Sequence, residues 1–321
     1  MKKINIGLLG FGTVGQGTYK ILTENKELIA NRHNIEFNIK KILVSNVNKK
    51  RNVDVDASFL TTNADEIIND NDIDIVVELL GGIEPAYTYI SNAIKNNKHI
   101  VTANKAVIAN KSLELSALKN TYNKQIGVEA CVAGGIPIIN AITTALSGNE
   151  FISIKGILNG TTNYILTQMD EAGLDYKTAL KQTQELGYAE ADPTADVEGI
   201  DAANKLSILI ELGFNKYVHP DNIDTIGISS ITKKDIQKAN KNNEKIKLIA
   251  SVENNNGKLE YNVKPISLPN NHPLAMVKGA FNGIFVTGNA VGELMFQGAG
   301  AGSLPTGSAV VGDIIAIAKT I

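Results

Sequence analysis

Gly10-Phe11-Gly12-Thr13-Val14-Gly15 stands between a short apolar run, Ile4 to Leu9, and a helix-length segment, residues 14 to 30. The spacing is GxGxxG, which is informative only with a strand before it and a helix after it, and that context is present. Gly10 permits the tight turn, Gly12 lets a pyrophosphate approach the backbone, and Gly15 allows the helix to pack on the strand. The helix N-terminus then faces the phosphates, where N–H groups and the helix dipole favour an anion. All six residues, Phe11, Thr13 and Val14 included, are expected to touch a dinucleotide. The competing reading of the same six is a glycine-rich turn with no ligand.

Outward from this turn the rhythm of short apolar runs and helix-length segments continues, as a parallel sheet with crossover helices requires. Ile39 to Val44, Asp74 to Glu78, His99 to Thr102 and Ile126 to Glu129 read as further strands. Glu84-Pro85 starts a helix, since proline in a first turn has no N–H to lose. The fold class is therefore α/β: a doubly wound (Rossmann) parallel sheet, followed by a second α+β domain. That second part has a strand near Phe151 to Leu158, helices near 161 to 170, 176 to 187 and 198 to 212, and a strand from Phe281 to Thr287. Lys245 to Val252 and Lys258 to Ile266, joined by residues 253 to 257, read as a hairpin. The expected boundaries are 1–129 for dinucleotide binding, 130–304 for substrate and dimer contacts, and 305–321 for a helix returning to the first domain.

Selectivity for NAD usually rests on Asp or Glu at the end of the second strand, bonded to the ribose hydroxyls. Here that end reads Val44-Ser45-Asn46, with Lys49, Lys50 and Arg51 following. A 2′-phosphate would be attracted, so NADP is favoured, with NAD as the alternative and a merely solvated basic loop as the competing account.

At 321 residues the chain is long enough for two domains. Its 43% hydrophobic and 20% charged residues set disorder aside. A net charge of −2 gives no bulk attraction to nucleic acid or to a membrane surface. No apolar run approaches the length of a bilayer-spanning helix, and no cleavable leader pattern opens the chain. The single cysteine, Cys131, can form no internal disulfide, which fits a reducing compartment, and a cytoplasmic location is expected. Its neighbours Ala130 and Val132 supply no base or positive charge, so it reads as a small buried apolar residue and not as a nucleophile. The four histidines, His33, His99, His219 and His272, are scattered without metal-ligand spacing.

Five further segments stand out: Glu78-Leu79-Leu80-Gly81-Gly82, Val101-Thr102-Ala103-Asn104-Lys105-Ala106, Gly134-Gly135-Ile136-Pro137, the run from Gly156 to Leu166 that includes Gly160 and Thr161, and Gly187 to Lys205. Together they resemble the homoserine dehydrogenase family. Their order also matches, and nearly the whole chain is covered. Thr183, where Ala is usual, and Ala133, in a glycine-rich position, depart from the pattern. Many members continue into a small ACT domain, whereas this sequence stops at Ile321, so a short form without threonine regulation through that domain is expected.

The resemblance implies interconversion of L-homoserine and L-aspartate 4-semialdehyde, with hydride passing to or from the nicotinamide. The protein must then supply and remove one proton, and anchor an amino and a carboxylate group. Lys105 follows the carboxyl end of a parallel strand, where ligands of such sheets bind. Lys205 lies four residues after Asp201 on one helix face, a spacing that by itself describes a surface ion pair worth about 0.3 to 0.5 kcal/mol. By resemblance Lys105 and Lys205 carry the acid–base chemistry. Glu190, Asp196, Asp201, Gly160 and Thr161 meet substrate, and Thr102, Lys105, Gly187 and Gly302 join the glycine turn at the cofactor. The resemblance further implies a monovalent cation, sodium, on the backbone oxygens of Glu129, Val132, Gly134 and Ile136, and assembly as a homodimer or tetramer. A related oxidoreductase acting on another amino-acid aldehyde, and a catalytically silent nucleotide-binding protein, remain the alternatives.

Overall fold

The computed structural model describes residues Met1 to Ile321, and the chain divides into two compact units. The first comprises Met1–Gly135 together with Ala301–Ile321, and the second Ile136–Gly300.

In the first unit, β1 (Lys2–Leu9), β2 (Ile35–Leu43), β3 (Leu60–Thr61), β4 (Ile75–Glu78), β5 (His99–Thr102) and β6 (Ile126–Gly127) form one sheet in the order β3-β2-β1-β4-β5-β6. Every neighbouring pair is parallel, the doubly wound arrangement expected from the sequence. The strand order reverses between β1 and β4, and the carboxyl ends of these strands open the crevice where such sheets bind ligands. Ile6, Leu8, Ile75 and Val77 are fully buried, as two-sided cover by helices demands.

Two local readings change. The helix expected over residues 14 to 30 is two helices, Thr13–Glu24 and Lys26–His33, because Asn25 ends the first by donating to Ile21 O and opens the second by accepting from Ile29 N. The strand expected to reach Glu129 stops at Gly127, since Glu129 N–H donates to the Asp313 side chain (2.8 Å) and the chain turns through Glu129–Cys131. The helix beginning near Pro85 spans Ala86–Lys95. The C-terminal helix, Ser303–Ala318, returns to this unit, where Val310, Val311, Ile314 and Ile317 share a core with Ile4, Ile6 and Leu8. It approaches Thr13–Glu24 closely: a Cβ on Gly307 would stand 2.8 Å from the Gly17 carbonyl carbon.

The second unit is built on a mixed six-stranded sheet. Its strands are β7 (Phe151–Ile157), β8 (Asp224–Thr225), β9 (Glu244–Asn255), β10 (Lys258–Pro269), β11 (Phe281–Gly288) and β12 (Gly292–Ala299), in the order β12-β11-β7-β9-β10-β8. The hairpin is tighter than its sequence suggested. Asn255 pairs with Lys258, leaving a two-residue Asn256-Gly257 turn with φ of 54° and 89°, the left-handed pair that matches strand twist. Helices Gly160–Glu171, Tyr176–Glu185, Ile200–Phe214 and Lys233–Lys241 accompany the sheet. Ile200–Phe214 buries Leu206, Leu209 and Ile210 completely, which fixes the face carrying Asp201 and Lys205. No helix in either unit is long and apolar enough to cross a membrane.

Candidate active site

At the carboxyl ends of β1, β2 and β4 the first unit holds a cavity of about 750 Å³. Gly10, Phe11, Gly12 and Thr13 line one side, Ser45, Asn46, Lys49, Lys50 and Arg51 another, and Leu79, Leu80 and Gly81 a third. Gly10 has φ of 109°, and a Cβ there would stand 2.9 Å from Leu79 O, so the turn excludes any side chain. At Gly12 a Cβ would meet nothing within 4 Å. The space beside that backbone is open, as close approach of a phosphate requires. Val14 is half-buried and packs against the core, while Gly15 lies against Gly10 O. Arg51 braces its own loop, donating to Asn46 O (2.7 Å), Val47 O (3.1 Å) and Lys49 O (2.7 Å) with its guanidinium 5.8 Å from the Phe11 ring centre. Lys49 and Lys50 are exposed, and the lining contains no carboxylate. Gly302 ends the return into this unit with φ of 124°, next to Ser303, whose hydroxyl donates to Thr13 O (2.8 Å).

Lys105 is the first residue of helix Lys105–Thr121, just past β5. Its approach is fixed by a buried relay. Thr102 donates its hydroxyl to Glu78 Oε2 (2.6 Å) and accepts from Asn104 N–H (2.9 Å), and Asn104 in turn caps the helix by accepting from Val107 N–H (3.2 Å). Glu78 also accepts from Leu80 N–H (2.6 Å) and is fully buried. Burial pushes its carboxyl above the usual range, opposed by the Thr102 hydroxyl and the Leu80 N–H. Thr102, expected at the cofactor, thus spends its hydroxyl on Glu78 and Asn104.

The segment from Glu129 to Ile136 carries Ala133 and Gly134 with consecutive positive φ of 55° and 51°. Glu129 O accepts from Val132 N–H (3.4 Å) and Ile136 O from Ile138 N–H (2.8 Å), so two of the four expected cation oxygens already have one donor each. A carbonyl has two lone pairs, and neutral oxygens suit a hard monovalent cation. Cys131 is buried, and burial holds its thiol far from ionising, in line with an inert apolar residue. Asp313, bonded to Glu129 N–H, is pushed up to about 7 by burial. No group of His, Cys, Asp and Glu is arranged to hold a metal.

In the second unit the ends of β7 and of the loop before Ile200 converge. Lys205 Nζ donates to Asp201 Oδ2 (2.7 Å) and to Leu158 O (2.6 Å). Asp201 and Lys205 are only 7% and 8% exposed, which removes the surface ion-pair account of their spacing. Asn159 Nδ2 donates to both Asp196 Oδ1 (2.7 Å) and Asp201 Oδ2 (2.9 Å). Burial raises the Asp196 carboxyl, with the Asn159 hydrogen bond opposing and the Asp201 charge assisting. Thr161 donates to Tyr188 O (2.7 Å), and Gly160 is pressed against Ala280 O, where a Cβ would stand at 2.6 Å. Glu190 is exposed, its backbone carbonyl held by Gln184 Nε2 (3.0 Å). Gly187 has φ of 77° and closes the helix Tyr176–Glu185, an ordinary reason for glycine there.

The family model for homoserine dehydrogenase matches residues 137–315, and that for its NAD-binding domain matches residues 10–129. The chain belongs to the homoserine dehydrogenase family. It is 44% identical over 321 residues to the homoserine dehydrogenase of Bacillus subtilis (strain 168), covering all of this chain and 74% of that protein. The crystal structure of the homoserine dehydrogenase from Thiobacillus denitrificans superposes with a TM-score of 0.95 at 42% identity, over 99% of this chain and 74% of that one. A hyperthermophilic archaeal homoserine dehydrogenase mutant in complex with NADPH is similar at a TM-score of 0.83 and 28% identity, over 99% and 98% of the two chains. This member of the family is therefore an oxidoreductase with an NAD-binding domain.

Three buried polar side chains went unremarked in the sequence. Glu78 and Asn159 lie inside the stretches that carry the family resemblance, where the pattern gives identity without role. Lys247, 4% exposed and donating to Asn163 Oδ1 (2.9 Å) and Val277 O (2.6 Å), sits in a strand where nothing distinguishes it from a solvated lysine.

Proposed function

We propose that this protein interconverts L-homoserine and L-aspartate 4-semialdehyde, with Lys205 moving the proton at the substrate oxygen. The observation that carries the reading is the buried Asp201–Lys205 pair, held by Leu158 O on one side and Asn159 on the other. A buried lysine with a hydrogen-bonded carboxylate is a proton donor kept in register, and membership in the family makes the hydroxyl-bearing carbon its target. Lys105 serves the same proton chemistry from the end of β5. Glu190, Asp196, Asp201, Gly160 and Thr161 bind the amino acid, the carboxylates facing its ammonium group.

A nicotinamide cofactor supplies the hydride exchange when bound. The open backbone at Gly12, the helix Thr13–Glu24 behind it and the cavity beside them fit a dinucleotide. Contacts come from residues 10 to 15, Thr102, Lys105, Gly187 and Gly302. Lys49 and Lys50 on a carboxylate-free lining favour NADP over NAD. Sodium is held by the carbonyls of Glu129, Val132, Gly134 and Ile136. The first unit takes cofactor, the second takes substrate and forms the contacts of a homodimer or tetramer, and the enzyme acts in the cytoplasm.

The test is absorbance at the reduced-nicotinamide band with purified protein, L-homoserine and either cofactor. Homoserine-dependent reduction, with the larger kcat/KM on NADP, is expected. Cofactor binding without turnover would refute the reaction, and dependence of the rate on sodium at constant ionic strength tests the cation.

A further inference from the structure

We propose that Asn159 is a positioning residue for the acid–base lysine, its side-chain amide bridging Asp196 and Asp201 so that Asp201 is shared between Asn159 and Lys205. The inference rests on the reading of Lys205 above and adds the device that sets the lysine's partner.

Asn159 follows β7 and caps the helix Gly160–Glu171, accepting from Thr162 N–H (2.9 Å) with Oδ1. That use occupies only the oxygen. The amide nitrogen reaches Asp196 Oδ1 at 2.7 Å and Asp201 Oδ2 at 2.9 Å, with Asn159 itself 5% exposed. A primary amide has two N–H donors at a fixed angle, so one can serve each carboxylate. Asp201 Oδ2 therefore accepts from both Asn159 and Lys205 Nζ (2.7 Å). The preceding residue, Leu158, holds the same Nζ through its carbonyl (2.6 Å). One dipeptide thus addresses the ammonium directly and the carboxylate beside it.

The chemistry at this position is selective. Helix capping alone is satisfied as well by Asp or Ser as by Asn. Neither can bridge two carboxylates: an aspartate has no donor and adds a third negative charge, and a serine hydroxyl has one short donor. Two buried carboxylates brought together repel each other, and a neutral double donor offsets that repulsion without neutralising either. With the donor removed, Asp201 is left to pair more fully with Lys205, and the lysine holds its proton to higher pH.

Asn159→Ser and Asn159→Asp keep the cap and remove the bridge. Two measurements separate the outcomes: steady-state kinetics with homoserine across pH, and the pH dependence of trace Lys205 acylation by acetic anhydride, read by mass spectrometry. Both variants are expected to fold and to keep the cofactor Kd, with a lowered melting temperature that falls furthest in Asn159→Asp, which buries a third negative charge. Their kcat should fall by about ten- to a hundredfold, the scale of a misplaced reacting group. The limb of the kcat profile that reports Lys205 deprotonation, and the acylation curve, should both move to higher pH. If the unsubstituted protein does not turn homoserine over while the acylation curve still shifts in the variants, the proposed reaction fails and the positioning role stands. Folded variants with unchanged kcat and an unchanged acylation curve would overturn it, and so would failure of both variants to fold, which would assign Asn159 to the fold alone.

Discussion

The two units build their candidate sites from different materials. The cavity of the first lies against a glycine turn and a helix start, with Gly12 leaving open space and Lys49, Lys50 and Arg51 as its charged lining. The cluster of the second is made of side chains drawn from positions 159, 161, 196, 201 and 205 and locked by short hydrogen bonds below the surface. Where a glycine turn and a helix start carry the contact, neighbouring side chains can vary provided the glycines stay. A site made of buried charges tolerates almost no such change, because each partner lost leaves another uncompensated.

Substitutions can break this contrast in order of size. Lys205→Ala should lower kcat by about 10² or more while leaving the cofactor Kd unchanged, measured by steady-state kinetics and cofactor titration; an unchanged kcat would remove Lys205 from the chemistry. Asp201→Ala strands a buried ammonium, and urea unfolding should report a loss of about 3 to 5 kcal/mol. Gly12→Ala is the converse case. Gly12 has φ of −78° and open space, so the melting temperature should hold while cofactor affinity falls by about tenfold, or roughly 1.4 kcal/mol. Lys50→Glu, at an exposed position, should cut kcat/KM for NADP by about fivefold and leave NAD untouched, the value of a solvated ion contact near 1 kcal/mol.

A separate effect is one of pH. Burial holds Lys247 down at about 8, below its ordinary 10.5. Between those values the unfolded chain binds more protons than the folded one, so stability from this group rises with pH, by at most about 1.4 kcal/mol per unit, and is level below about 8. Lys247→Met should abolish that rise in denaturation curves taken from pH 8 to 10. A slope that persists in the variant would assign it to another group.

The same contrast explains what could be read without coordinates. The glycine spacing, β1, β4, β5 and the helices near 161, 176, 198 and 305 declare themselves through local period, and the doubly wound sheet follows from the strands. β3 is two residues long and has no period to detect, and β12 opens and closes with small residues. Asn25 splits the first helix through capping bonds that composition alone does not announce. In the cluster of the second unit, Asp201 and Lys205 shared a helix face at a spacing that solvent-exposed pairs also use, and burial alone distinguished them. Asn159 and Glu78 act through partners 37 and 24 residues away, and no window of sequence contains both ends of such a bond.

The return of helix Ser303–Ala318 has a consequence in time. During synthesis, the strands of the first unit leave the ribosome long before Val310 and Ile314, the residues that seal their core. The second unit, continuous from Ile136 to Gly300, is complete earlier. The unit made first must therefore finish last, and until then the flank of Thr13–Glu24 that receives Gly307 waits uncovered.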